Sequence, residues 1–222
     1  KMSSSKGRGF AASDMLTILP PELVRFLIVK MNIQQQTNFD PTEGDTIPRL
    51  FDEYQEYANH YFAGEKDDEA RIFELSQVKE VKKPLDVRFT TLVQWVQMPN
   101  MEKEIKAQGL EEWAKYARIW VEKFAPESDK FTIQERLPDS ARLLSQAQKK
   151  YLAAVAELLN RISDPEDLQK AIYEKAKEMQ IPSKDAFGAI YTVLLDKNYG
   201  PKAGWLILSL DKDMVRERFS SL

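Results

Sequence analysis

Cysteine is absent from the 222 residues, and histidine occurs once, at position 60. Without thiols there is no disulfide framework, no thiol nucleophile and none of the common zinc arrangements, so no metal site is expected. A histidine-dependent triad would have to run through His60, and the surrounding EYANHYFAG carries no nucleophile signature. His60 is therefore read as a structural or surface side chain. Long apolar runs and a charged-then-apolar leader are also lacking, which implies no membrane partner and a cytoplasmic chain. An excess of positive charge is missing too: the formal net charge is −3. That excludes a polycation coating nucleic acid indiscriminately, and a nucleic-acid partner would have to meet a local basic surface.

What is present is a globular composition, with 43% hydrophobic and 30% charged residues over a length that buries a core without staples. Residues 1–9, KMSSSKGRG, hold three basic side chains, three serines, two glycines and no acid, and read as an anion-seeking loop. Asp14 is placed to cap a short turn before Pro20 and Pro21, where a proline in the first helical turn costs nothing. In the following ELVRFLIVKM, Leu23, Phe26, Leu27 and Met31 are expected inside. Residues 32–47 are rich in Gln, Asn, Thr, Asp and Pro and read as a linker or extended segment. From Pro48, Leu50, Tyr54, Tyr57 and Tyr61 recur at helical spacing until Gly64 closes the helix. This stripe reads as an aromatic core face, with base stacking as the minor alternative.

From Glu65 onward the pattern is helical with short Pro, Gly or Asp interruptions and almost no strand-like alternation. Leu110, Trp113, Ala117, Trp120 and Phe124 define one buried face; Leu144, Ala147, Tyr151, Val155, Leu158 and Ile162 define another. In SDPED, Ser163 three residues ahead of Glu166 and Asp164 directly before Pro165 offer two ways to start the next helix. A further helix restarts at Ser183 and stops near Gly200, and Leu206, Leu210 and Met214 mark the last segment. The sequence leaves one lobe or two open, with 127–139 as the better internal boundary.

The one chemically loud motif is KMSSSKG. Hydroxyls, backbone amides and two lysines on a pliable loop suit a polyphosphate, although the glycine spacing of a P-loop is absent. Followed by LPPELVRFLIVKM, FDPTEGDTIPRLFDEY and the terminal GPKAGWLILSLDKDMVRERF, the loop resembles the signature loop and the downstream helices of class I lysyl-tRNA synthetases. The resemblance spans essentially the whole chain. Where the general signature has its second lysine this chain has Ser4, with Lys6 two residues later, a serine-rich form similar to that of the lysyl branch.

The resemblance implies a mostly α fold. A signature loop, 1–9, precedes a connecting or tRNA stem-contact module, 10–60, and a cage-like helical anticodon-binding region, 61–222, without the complete nucleotide-binding α/β domain. It implies that Lys1, Ser3, Ser5 and Lys6 meet ATP phosphates, with Lys1 and Lys6 as the catalytic charges. ATP and magnesium would serve the intact enzyme, with none tightly bound to this portion. Lysine tRNA and the missing N-terminal catalytic domain are the implied partners. The histidine-containing first signature is not found in the chain, so this portion is expected to be inactive alone. Near the C-terminus Lys184, Lys197, Lys202, Arg216 and Arg218 are candidate phosphate contacts and Trp205 a stacking side chain, unless it anchors the last packing layer. Arg25 and Arg49 are placed towards the inner limb of tRNA, against salt bridges with Glu22, Asp52 or Glu53. A free-standing RNA-binding or regulatory module and a helical protein-interaction scaffold without RNA are the competing readings.

Overall fold

The computed structural model describes residues 12–31, 39–78, 80–84 and 86–222. Among these residues the regular structure is entirely helical, with no strand, and the chain divides into two compact units. The first takes the described residues up to Val96 together with Lys103–Asp129; the second takes Gln97–Glu102 and Lys130–Leu222. A line drawn at 60/61 falls inside a helix, so the first unit runs on well beyond it.

The first unit is built on α1 (Ala12–Ile18), α2 (Pro21–Val29), α3 (Thr46–Ala63), α4 (Asp68–Ser76), α5 (Phe89–Trp95), α6 (Glu102–Ala107) and α7 (Glu111–Lys123). Asp14 lies within the first turn of α1 rather than ahead of it. Pro21 opens α2, whose Leu23, Phe26 and Leu27 are buried while Met31 stays partly exposed. Helix α3 starts at Thr46, two residues before Pro48, and ends at Gly64, whose φ of 80° is the left-handed value that a glycine adopts without strain.

The stripe on α3 is a core face. Leu50 and Tyr54 are buried, and Tyr54 meets Phe26 edge-on at 5.4 Å between ring centres and Phe73 at 5.2 Å. Tyr57 meets Phe26 at 5.1 Å, and on the neighbouring face Phe51 stacks on Phe89 at 4.0 Å and meets Trp113 at 4.8 Å. Aromatic pairs of this kind contribute about 0.5–1.5 kcal/mol each beyond the area they bury. Gln77 Nε2 donates to the Tyr54 hydroxyl at 3.1 Å, and burial pushes the Tyr54 pKa up to about 12.

The second unit holds a 3₁₀ turn (Asp139–Leu143) and α8 (Gln146–Leu158), α9 (Pro165–Glu178), α10 (Ser183–Leu195), α11 (Ala203–Ser209) and α12 (Lys212–Ser220). Helix α10 is apolar nearly all round and packs against α8, α9 and α11, the position such a helix needs. Tyr191 on α10 donates its hydroxyl to the Pro201 carbonyl at 2.6 Å, and Tyr151 on α8 donates to the Ile172 carbonyl at 3.1 Å.

In the second unit three helix boundaries differ from the sequence expectation, each for a capping reason. The segment from 140 is not one helix: Leu144 is extended and Ser145 starts α8 with a reciprocal capping box to Gln148. The α8 face is consequently Tyr151, Leu152, Val155, Ala156 and Leu159, while Ala147 is exposed. Helix α10 stops at Leu195 because Asp196 takes a left-handed φ of 56°, well before Gly200. The C-terminal segment breaks at Leu210, and Asp211 caps α12 by accepting from Met214 N at 2.9 Å.

Two helical glycines predict opposite outcomes. A Cβ on Gly204 would lie 2.2 Å from the Pro165 carbonyl oxygen and 2.8 Å from Gln169 N, both backbone atoms that cannot yield. Gly204→Ala is expected to cost about 3 kcal/mol or more by overpacking. A Cβ on Gly188 would meet only the Asn198 carbonyl at 3.7 Å, so Gly188→Ala is expected to gain up to about 1 kcal/mol of helix propensity. Urea denaturation of both variants measures the contrast.

Candidate nucleic-acid interface

In the second unit the candidate residues are organised by the first turn of α9. A helix leaves its first amides without intrahelical partners, and here Asp164 Oδ1 accepts from Glu166 N and Asp167 N, both at 2.9 Å. Of the two starting devices in SDPED the structure uses Asp164, with Pro165 first in the helix. Glu166 is therefore not spent on a capping box. Its Oε1 accepts from Trp205 Nε1 at 2.8 Å and from Lys202 Nζ at 2.9 Å. Three residues further on, Gln169 Oε1 accepts from Gly204 N at 2.9 Å. The missing side chain of Gly204 lets the start of α11 lie directly on the start of α9.

The result is a cation and an aromatic ring held side by side on one carboxylate. The Lys202 side chain is 57% exposed and that of Glu166 48%, and Trp205 is half-buried. The Trp205 indole and then the Lys202 ammonium hold the Glu166 carboxyl below its ordinary pKa of 4.5. Glu166 is the residue that the sequence reading missed as a partner. Its signal lay in the D-P-E order, which frees the glutamate once the aspartate has taken the cap.

The other candidates in this unit fall into two groups. Arg218 donates to the Gln134 and Glu135 carbonyls at 2.6 Å each, and its desolvation lowers the guanidinium pKa. Lys197 donates to the Lys130 carbonyl at 2.6 Å and lies 5.3 Å from the Tyr199 ring centre. Both are built into the packing of the 130–135 segment. Arg216 is more exposed, with a 3.4 Å contact to Asp213 on its own helix. Lys184 is exposed in the first turn of α10.

In the first unit, Arg25 donates to the Leu75 carbonyl at 3.0 Å and Arg49 lies 3.5 Å from Asp45, one helical turn away. Two of the acids considered as their partners are engaged elsewhere: Glu53 pairs with Lys30, and Asp52 accepts from Phe89 N at 3.3 Å. Lys1, Ser3, Ser5 and Lys6 lie outside the described residues. Among the described residues no helix is long and apolar enough to cross a membrane.

Glu166 makes the α9–α11 contact pH-dependent. Its folded pKa is depressed, so the stabilisation is present above its ordinary value near 4.5 and is lost as pH falls through the lower folded value. Glu166→Gln is expected to lower stability modestly above about pH 4.5, where the parent carboxylate is charged, and to converge with the parent as pH falls, so that its acid limb is flatter; the half-exposed pair keeps the difference small. Urea midpoints between pH 3 and 7 for the two proteins check this.

Residues 1–79 match the family model described as tRNA synthetases class I (K). The chain is 35% identical over 235 residues to a lysine–tRNA ligase of Archaeoglobus fulgidus, covering 99% of this chain and 45% of that protein. It is 34% identical over 241 residues to the lysine–tRNA ligase of Thermoplasma acidophilum, covering 100% of this chain and 46% of that one. A lysine–tRNA ligase of Methanocaldococcus jannaschii is 32% identical over 259 residues, with 99% and 47% covered. The chain spans about half the length of the curated relatives it matches, and over that half it is homologous to lysine–tRNA ligases.

Proposed function

We propose that this chain is the tRNA-recognition portion of a class I lysine–tRNA ligase. The carrying observation is that similarity to such ligases runs through essentially the whole chain, well beyond the signature loop and into the helices of both units. The all-helical architecture of the described residues agrees with it, because a nucleotide-binding α/β domain has to come from the other half of such a protein. The activity of the whole enzyme would be ATP-dependent attachment of lysine to its tRNA in the cytoplasm.

RNA loops are held by phosphate pairing and by stacking of unpaired bases. Lys202 and Trp205 put both functions side by side. In the free chain Glu166 neutralises the ammonium and holds the indole N–H; a phosphate oxygen would replace that carboxylate at Lys202 while a base covers the Trp205 ring. Arg216 and Lys184 would add phosphate contacts. Lys197 and Arg218 position the 130–135 segment, and Arg25 and Arg49 would face the tRNA stem from the first unit.

In the whole enzyme Lys1, Ser3, Ser5 and Lys6 would face ATP. Two ammonium groups and two hydroxyls suit a magnesium-bound triphosphate, and the lysines would stabilise phosphate charge as it grows. ATP supplies the activated phosphorus, and the lysine carboxylate needs no general base. The chain alone is expected to show no lysine-dependent ATP–pyrophosphate exchange, and robust exchange would overturn the incomplete-enzyme reading. In the whole enzyme Lys1→Ala or Lys6→Ala should abolish exchange.

Titration of the chain with lysine tRNA and a non-lysine tRNA at several salt concentrations tests recognition. Affinity should fall as salt rises, and Lys202→Ala should reduce the magnitude of the salt slope by about 1. Trp205→Ala should weaken binding by about 1–3 kcal/mol and leave the slope unchanged. Absence of binding, or affinity indifferent to salt, would sink the phosphate-contacting surface.

A further inference from the structure

The turn between α3 and α4 gathers the chain's single histidine and a set of carboxylates at one point. Helix α3 ends at Ala63, Gly64 reverses the backbone, and Asp67 caps α4 through Ala70 N at 2.9 Å. His60 sits in the last turn of α3, and Glu69 in the first turn of α4. Asp67 Oδ2 lies 2.6 Å and Glu65 Oε2 2.9 Å from the same ring nitrogen, His60 Nδ1. That nitrogen carries at most one proton, so two carboxylates compete for one positive point. Donor atoms of His60, Asp67 and Glu69 all lie within 4.8 Å of one another, and all three residues are partly buried.

The charge around this point is unbalanced. Between Glu65 and Glu69 there are four acids and one base, and the nearby Arg71 is paired with Glu74 at 2.5 Å. Glu65 and Asp67 also line a cleft of about 360 Å³, together with Tyr61, Lys66, Asp68 and Arg71, so this edge of the cluster is open to water. Like carboxylates at this separation favour any shared cation. The proton on Nδ1 is the smallest such cation, and a metal ion is the larger one.

We propose that His60, Asp67 and Glu69, with Glu65 as an alternative fourth ligand, form a divalent-cation site of zinc type that staples α3 to α4. One imidazole nitrogen with carboxylate oxygens and an open position suits zinc, whereas magnesium prefers an all-oxygen octahedron. Zinc distances of about 2.0–2.2 Å set ligand atoms about 3.3 Å apart. The contacts at Nδ1 have to open by about half an ångström and Glu69 has to close in, movements that partly exposed side chains permit. No cysteine is needed. The site is independent of the tRNA reading, since its ligands lie on the first unit and none is a candidate RNA contact.

The single histidine makes the test direct: the chain labelled only in histidine gives one imidazole, followed by NMR as zinc chloride is added at neutral pH. The His60 ring signals should move and saturate at one equivalent, with Nδ1 as the ligated nitrogen, and the thermal midpoint should rise. Magnesium chloride at the same concentrations should leave both unchanged. The Glu69 side chain makes no hydrogen bond that the helix needs, so Glu69→Gln should remain folded and bind zinc at least tenfold more weakly. Ring signals unmoved at tenfold excess zinc would overturn the site. So would a Glu69→Gln titration that matches the parent chain, which would mark simple attachment to an exposed imidazole.

Discussion

Helix geometry leaves unpaired amides at the start of α9, and the way the chain satisfies them decides where the candidate RNA contacts stand. Asp164 takes the two amides that follow Pro165, which leaves Glu166 free to reach across to α11. Gln169 then receives Gly204 N, and Gly204 gives the two backbones the room to approach. Each step depends on the one before it. An aspartate cap frees a glutamate, the glutamate holds a lysine and a tryptophan together, and a glycine makes the close approach possible.

The first unit is organised by a different force. A continuous aromatic cluster from Phe26 through Tyr54 to Phe73, and from Phe51 through Phe89 to Trp120, carries its core. The cost of such large rings is visible at Trp120, whose indole N–H is buried without a hydrogen-bond partner among the described residues. The polar chemistry of this unit is displaced to its edges, where Lys30 meets Glu53 and where the α3–α4 turn collects its carboxylates around His60.

Periodicity made the helices legible: Leu23, Phe26, Leu50, Tyr54, Ala117 and Trp120 are buried as their spacing implies, because an apolar stripe has only one way to leave water. Boundaries were less legible because a cap is a competition between neighbours. Ser145 was hidden inside an apparently continuous pattern, Asp196 stops α10 ahead of the more obvious Gly200, and Asp164 rather than Ser163 starts α9. The D-P-E order marks Glu166 as free, but its partners Lys202 and Trp205 lie 36 and 39 positions away and cannot be read from local spacing.

We propose that the α9–α11 junction is where this chain meets RNA. Amide hydrogen exchange of the chain with and without lysine tRNA tests it most directly. Added protection is expected in two segments, 163–169 and 202–206, appearing together and fading as salt rises. Protection confined to other helices, or none at tRNA concentrations that saturate binding, would contradict it.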